Sequence, residues 1–114
     1  MSEKNTSLVA VEEAVEETAG VGTYTFKTPT KIDGEEVKTI NYDFTALNGG
    51  NIRNAKAELQ KRGYTVAVKS LDECFHAAMF AEAAGITYGD VERFSTKDYN
   101  AVADIAQDFL FGEE

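Results

Sequence analysis

Two runs of alternating apolar and polar residues flank the dipeptide Asp33-Gly34 and constrain the fold more than any other feature of the chain. β-branched and aromatic residues at period two are typical of strands, and Asp-Gly between two such runs is a strong signal for a two-residue hairpin turn. The sequence therefore predicts a β-hairpin over residues 23–44. Because a lone hairpin is not stable in water, its apolar face must cover helices or pair with another chain. That face consists of Tyr24, Phe26, Ile40, Tyr42 and Phe44.

Helical spacing dominates the second half of the chain. Apolar residues that recur three and four positions apart predict helices over about 51–62, 71–84 and 96–111, with a shorter helical turn inside 87–94. Residues 64–68 fit either a third short strand or an extended link. Strands followed by helices define an α+β fold, here an N-terminal β-hairpin packed on a C-terminal bundle of three to four helices.

Capping residues at the predicted helix starts support these boundaries. A Ser with an acidic residue three positions later is a capping signature, and Asn is a favoured cap. The predicted caps are Asn48 or Asn51 for the first helix, Ser70 with Glu73 for the second, and Ser95 with Asp98 for the last.

The length of 114 residues corresponds to one domain, which we assign to residues 21–112. Residues 1–20 are predicted to form a flexible acidic arm, and residues 113–114 a short tail. The segment 9–17 has weak helical spacing, but an isolated helix of that length is marginal in water. The alternative for the arm is a segment that becomes ordered only on a partner.

The formal net charge of −9 is unevenly distributed along the chain. Residues 48–69 carry +4, whereas residues 1–20 carry −4 and residues 70–114 carry −8. Twenty carboxylates, with no aromatic residues interleaved among the cations, argue against nucleic-acid binding. No apolar run reaches the roughly 18 residues of a membrane span. The single cysteine excludes an intramolecular disulfide and fits a reducing cytoplasm.

Few residues of this chain could carry out chemistry. The histidine, His76, and the cysteine, Cys74, lie two positions apart, and such positions on a helix face away from each other. Cys74 is predicted to be a small core residue and His76 to lie on the solvated side of its helix. No set of Cys, His and Asp has the spacing of metal ligands. The sequence therefore predicts no catalytic residue, cofactor or metal, which leaves protein binding or assembly as the functional class.

Several segments, taken in order, resemble the tail assembly chaperones of tailed bacteriophages and prophages, especially those of Gram-positive hosts. The resemblance covers about residues 22–112 and does not include the acidic arm. The segments are the aromatic hairpin with its acidic-Gly turn, DFTALNGGNI at 43–52 before a Lys- and Glu-rich helix, FAEAAGI at 80–86, DVERF at 90–94 with KDYN at 97–100, and DFLFG at 108–112.

The resemblance implies a non-enzymatic protein that acts in the cytoplasm of the host cell and is not expected in the mature virion. Such chaperones bind the long, aggregation-prone tape-measure protein of the tail and keep it soluble. They also help to recruit tail-tube subunits during tail morphogenesis.

A protein that keeps an apolar client soluble needs exposed apolar surface and surplus charge. Tyr24, Phe26 and Phe109 are expected in the core. An acidic adaptor or regulatory module that mimics nucleic acid is the alternative function, and assembly into a homo-oligomer stays open. The predicted partner contacts are Tyr42 and Phe44 on the hairpin face, Arg53 and Lys56 on the basic helix, and Phe111, which lies off the main apolar stripe of the last helix.

Overall fold

The structure, a computed structural model, describes residues 19–112 and consists of a β-hairpin followed by four helices. The predicted α+β fold, with the hairpin packed against the helices, is confirmed. Residues 64–68 form a link, and the described residues contain no third strand. The acidic arm and the tail lie outside the described residues, apart from Ala19 and Gly20. The elements are β1 (Val21–Ile32), β2 (Glu35–Asp43), α1 (Gly49–Lys61), α2 (Glu73–Ala84), α3 (Tyr88–Glu92) and α4 (Thr96–Phe111), with 3₁₀ turns at Phe44–Ala46 and Lys69–Leu71.

The hairpin turns at Asp33-Gly34, as predicted. Both turn residues have positive φ, 55° at Asp33 and 83° at Gly34, which is the combination of a type I′ turn. Side chains alternate between the two faces of the hairpin, so that Phe26 is buried. Its ring packs edge-on against Phe94, which follows α3, with 4.7 Å between the ring centroids. The aromatic face of the hairpin therefore covers the helices.

The pairing of β1 with β2 is interrupted between Thr25 and Thr30. Inside this irregular stretch, the backbone N–H groups of Lys27 and Thr28 donate to the carboxylate of Asp98 on α4, at 2.8 and 3.1 Å. Backbone donors that leave a strand ladder need another acceptor when they are shielded from water. The Asp98 carboxylate supplies that acceptor and fastens α4 to the hairpin.

Asp98 is fully buried, and no cation of the described chain pairs with it. Besides the two amides, the hydroxyls of Tyr24 and Ser95 donate to its carboxylate, at 2.5 and 2.7 Å. Burial alone raises the pKa of a carboxyl group, but these four hydrogen bonds favour the charged form and lower the pKa of Asp98 to about 2. Ser95 caps α4 by accepting from the Asp98 amide, as predicted. The Asp98 side chain binds the hairpin instead of completing a capping box.

α2 is the central helix, and Phe75–Ala81 are buried without a break. It packs against α1, α3, α4 and β2, so it has no solvated side along this stretch. Asp72 caps it by accepting from the Phe75 amide at 2.9 Å. The predicted capping box of Ser70 with Glu73 is wrong, because Ser70 lies in the preceding 3₁₀ turn and the helix begins only at Glu73.

α1 begins two residues before its predicted start, and both candidate asparagines cap it together. Asn48 accepts from the Gly50 amide at 2.8 Å, and the Asn51 side chain accepts from the Asn48 amide at 2.9 Å. This reciprocal arrangement satisfies the free donors at the start of the helix. None of the helices within residues 19–112 is long and apolar enough to cross a lipid bilayer.

Candidate protein-binding surface

An aromatic cluster joins the base of the hairpin to α2 and α4. Phe44 is only 2% exposed and stacks on Phe109, with 5.4 Å between the ring centroids. Tyr42 is half-buried, 5.7 Å from Phe44 and 5.5 Å from Phe80. Phe109, expected in the core, is 39% exposed and covers the backbone of Gly20. The structure therefore places Phe44 in the core and Tyr42 at its border.

The cations of α1 fall into two groups. Arg53 and Lys56 are exposed and make no ion pair or side-chain hydrogen bond with another described residue. Arg62, which follows the helix, forms ion pairs with Glu58 and, at 3.3 Å, with Glu92. The hydrogen bond to Glu58 raises the pKa of the Arg62 guanidinium. Only the first group therefore presents positive charge that the described fold does not neutralise.

Arg53 and Lys56 border a depression between α1 and the link that follows it. Its volume is about 470 Å³, and Ile52 of α1 and Val66 of the link contribute apolar surface to it. Both aliphatic side chains are half-buried and pack against the core. The depression therefore combines an apolar floor with a positively charged rim.

A second depression, of about 170 Å³, lies beside the last turn of α4. Ile52 lines it together with Lys69, Phe75, Leu110 and Phe111. Phe111 is 40% exposed, so its side chain is accessible at the surface. Ile52 lines both depressions, so we group them as neighbouring parts of one surface. We call it the α1–α4 groove and define it by Ile52, Arg53, Lys56, Val66, Lys69, Leu110 and Phe111.

The structure brings three of the five predicted contact residues, Arg53, Lys56 and Phe111, onto the α1–α4 groove. Tyr42 lines a separate depression at the base of the hairpin, and Phe44 lies beneath it.

Sequence reasoning missed the contribution of the link and of the following 3₁₀ turn to the exposed surface. The groove residues Val66 and Lys69 lie here, and Val68 and Leu71 are 51% and 78% exposed. The available signal was the apolar residues at positions 66, 68 and 71, which are unusual for a solvated link.

The prediction that His76 lies on the solvated side of its helix is wrong. Its side chain is 4% exposed, and its Nε2–H donates to the Lys69 carbonyl at 2.8 Å. The ring centroids of His76 and Phe111 are 5.6 Å apart, so the buried imidazole packs near the groove residue Phe111. Cys74 is half-buried rather than fully inside the core. Residues 19–112 contain no group of three or more His, Cys, Asp and Glu side chains arranged to hold a metal ion.

A second polar cluster lies away from the groove, where the hydroxyls of Tyr88 and Tyr99 approach to 2.6 Å near Cys74. Burial raises the pKa of Tyr88 to about 12 and raises that of Tyr99 as well. Both phenols are neutral near pH 7, and one hydroxyl donates a hydrogen bond to the other in a mostly buried position. This pair stabilises the contact between α3 and α4.

A family model described as "Phage tail assembly chaperone proteins, E, or 41 or 14" matches residues 23–110 of the chain. The match extends from β1 into the last turn of α4, so it includes the hairpin, all four helices and the α1–α4 groove except Phe111. No curated protein and no solved structure matches the chain.

Proposed function

Because the chain belongs to the phage tail assembly chaperone family, we propose that it binds the tape-measure protein in the host cytoplasm, keeps it soluble, and helps to recruit tail-tube subunits. Membership of the family establishes the general role, a tail assembly chaperone that binds proteins and is not an enzyme. The two named partners, the Gram-positive host lineage and the absence from the mature virion belong to the proposal. The ordered segments along residues 22–112 support them.

The observation that carries the proposal is the α1–α4 groove, where an apolar floor meets cations without partners. Peptide grooves of this kind receive the apolar face of an amphipathic helix. Phe111 and Ile52 offer apolar contacts, and Arg53 and Lys56 offer positive charge to acidic residues at the edge of the bound helix. A long helical client presents many apolar helix faces. The groove of one chaperone molecule can therefore bind one segment of the client while further chaperone molecules bind other segments.

The charge of the whole chain supports the same role. A net charge of −9 keeps complexes apart through mutual repulsion, since net charge far from zero promotes solubility. Although the chain as a whole is acidic, the positive charge of Arg53 and Lys56 attracts acidic segments of a client to the groove.

Tyr42 is the second contact that we propose, at the depression beside the hairpin base. It lines this depression together with Val21, Asn41 and Ala83. Phe44 supports Tyr42 from within the core, since their rings pack edge to face. In this proposal the client and the tube subunits occupy different sites on one chaperone molecule.

Co-expression with the tape-measure protein tests the proposal. We expect the client to appear in the soluble fraction only when the chaperone is present, and to co-purify with it. A Phe111→Ser variant should release the client while lowering the Tm little, because Phe111 is already 40% exposed. Leu71→Ser is the control, since Leu71 is 78% exposed and lines neither the groove nor the depression at the hairpin base.

The charged rim is tested with Arg53→Glu and Lys56→Glu combined, which should weaken client binding most at low salt. The control combines Lys38→Glu and Lys97→Glu, which reverse two exposed cations on the hairpin and at the start of α4. A client that stays equally insoluble with or without the chaperone refutes the tape-measure proposal. Salt-sensitive binding to a basic host protein instead would favour the acidic-adaptor alternative.

A further inference from the structure

We propose that residues 1–18, the acidic segment that precedes the described fold, dock into the α1–α4 groove of the same molecule and compete there with the client. The competition rests on the proposed function, whereas the docking does not. The argument rests on charge complementarity, on apolar spacing and on the place where the segment joins the fold.

The charges of the two parts are complementary. Residues 1–18 contain five acidic residues and one basic residue, Lys4. The groove presents Arg53, Lys56 and Lys69, whose side chains have no ion pair within the described chain. At the C-terminal end of α1, Glu58 pairs with both Lys61 and Arg62, and Glu92 pairs with Arg62 as well. The acidic segment would therefore neutralise the groove cations that have no ion-pair partner among the described residues.

The apolar residues of the segment also match the groove. At helical spacing, Val11, Ala14, Val15 and Thr18 share one face, and the glutamates at positions 12, 13, 16 and 17 flank that face. An apolar stripe with acidic edges suits a floor formed by Ile52, Leu110 and Phe111 and a rim of cations. The segment thus has the pattern that the proposed function requires of the client.

The segment joins the fold beside the last turn of α4, within reach of the groove. Gly20 packs so closely on Phe109 that a Cβ atom there would lie 2.5 Å from the ring. Phe109 is in the last turn of α4, two residues before Phe111, so the two rings lie on different faces of the helix and the segment must pass around α4 to reach the groove. Eighteen extended residues span up to about 60 Å, and a helical segment about 27 Å, so the segment reaches the groove in either form.

Tethering makes the docking effective even when the contact is weak. A short flexible connection gives an effective concentration in the millimolar range, so a client must bind more tightly than the segment to displace it. The docked segment would cover the exposed apolar surface of the free chaperone and so oppose self-association. Displacement by the client would then expose the acidic segment, which adds negative charge to the outside of the complex.

A spin label on the segment tests the docking in the full chain without any client. Ser7→Cys in a Cys74→Ala background carries the label, and amide signals report which residues it approaches. We expect the amides of Arg53, Lys56 and Val66 to lose most of their intensity at about 0.01 M salt, where the Debye length is about 30 Å. The intensity should return at about 1 M salt, where it is about 3 Å.

Charge reversal makes the test specific. Arg53→Glu with Lys56→Glu should restore the amide intensities at low salt, and adding Glu12→Lys and Glu16→Lys should abolish them again. Lys38→Glu with Lys97→Glu should change nothing. If the reversed variant fails to fold, Arg53→Gln with Lys56→Gln replaces it.

Broadening that is confined to residues next to Ala19, or that persists after the charge reversal, overturns the docking. A labelled segment that contacts the groove, combined with a client that the protein cannot solubilise, refutes the proposed function but not the docking. Broadening that appears only between labelled and unlabelled molecules also overturns it, because the contact is then between two copies.

Discussion

Replacing Asp98 by asparagine tests the join between the hairpin and α4. The substitution preserves size and leaves one oxygen, which can still accept from Tyr24 and Lys27 as Oδ1 does now. The other oxygen, which now accepts from Thr28 and Ser95, becomes an NH₂ group. The Ser95 hydroxyl can rotate to accept, but the Thr28 amide can only donate. The Thr28 amide is therefore left facing another donor in a partly buried contact.

The expected loss of stability follows from the pKa of Asp98, which the fold lowers from 3.8 to about 2. Each pKa unit corresponds to about 1.4 kcal/mol, so the ionised carboxylate stabilises the folded chain by about 2 kcal/mol relative to the protonated one. Because the folded-state pKa lies below the unfolded value, this stability is present above about pH 4 and is lost as the pH falls towards 2.

Urea unfolding followed by far-UV circular dichroism measures both effects. At about pH 7 we expect Asp98→Asn to lower the free energy of unfolding by about 2 kcal/mol, which for a chain of this size shifts the Tm by roughly 8 °C or more. Between about pH 4 and pH 2.5, the variant should lose less stability than the unmodified protein. Asp104→Asn is the control, since Asp104 is exposed on the same helix and hydrogen-bonds to no other described side chain.

Two results would refute this reasoning. An Asp98→Asn variant within about 0.5 kcal/mol of the unmodified protein would show that the Thr28 amide finds another acceptor at little cost. An unchanged pH dependence in the variant would show that another carboxyl group causes the acid sensitivity.

Two further substitutions test local features of the fold by thermal unfolding. Gly20→Ala should cost more than Gly34→Ala, because both residues have positive φ but only the Cβ at position 20 meets Phe109; equal losses would show that the ring moves aside freely. Asn48→Ala should lower stability by about 1 kcal/mol through loss of the N-cap, whereas Asn54→Ala, on the exposed side of the same helix, should stay within about 0.5 kcal/mol; a similar effect of the two would show that the cap is not needed.

The elements that the sequence predicted well are those with local signals. The hairpin turn at Asp33-Gly34 needs only two residues with positive φ between two alternating runs, and the start of α4 needs only Ser95 as its cap. Helix α2 shows the limit of such signals. Because it is packed on every side, periodicity could not tell which of its faces was solvated, and His76 was assigned to the wrong environment.

The groove and the Asp98 contacts could not be predicted because they join distant parts of the chain. Ile52 and Phe111 come from α1 and α4, and their proximity depends on how both helices pack on α2. Asp98 fits a capping signature so well locally that its bonds to residues 71 positions away had no signal of their own. Arg53 and Lys56 were predicted as partner contacts, which stays a prediction, and the structure places both side chains at the surface of α1.

The contact between Asp98 and the irregular stretch of β1 has a consequence for synthesis of the chain on the ribosome. The hairpin is translated before α4. The backbone amides of Lys27 and Thr28 therefore gain their acceptor, Asp98, only after about 70 further residues have been translated. Closing so long a loop carries an entropic penalty that local contacts cannot offset alone. The domain therefore completes only after α4 leaves the exit tunnel. Since α4 also forms one wall of the α1–α4 groove, the groove is incomplete in a nascent chain until α4 has been translated.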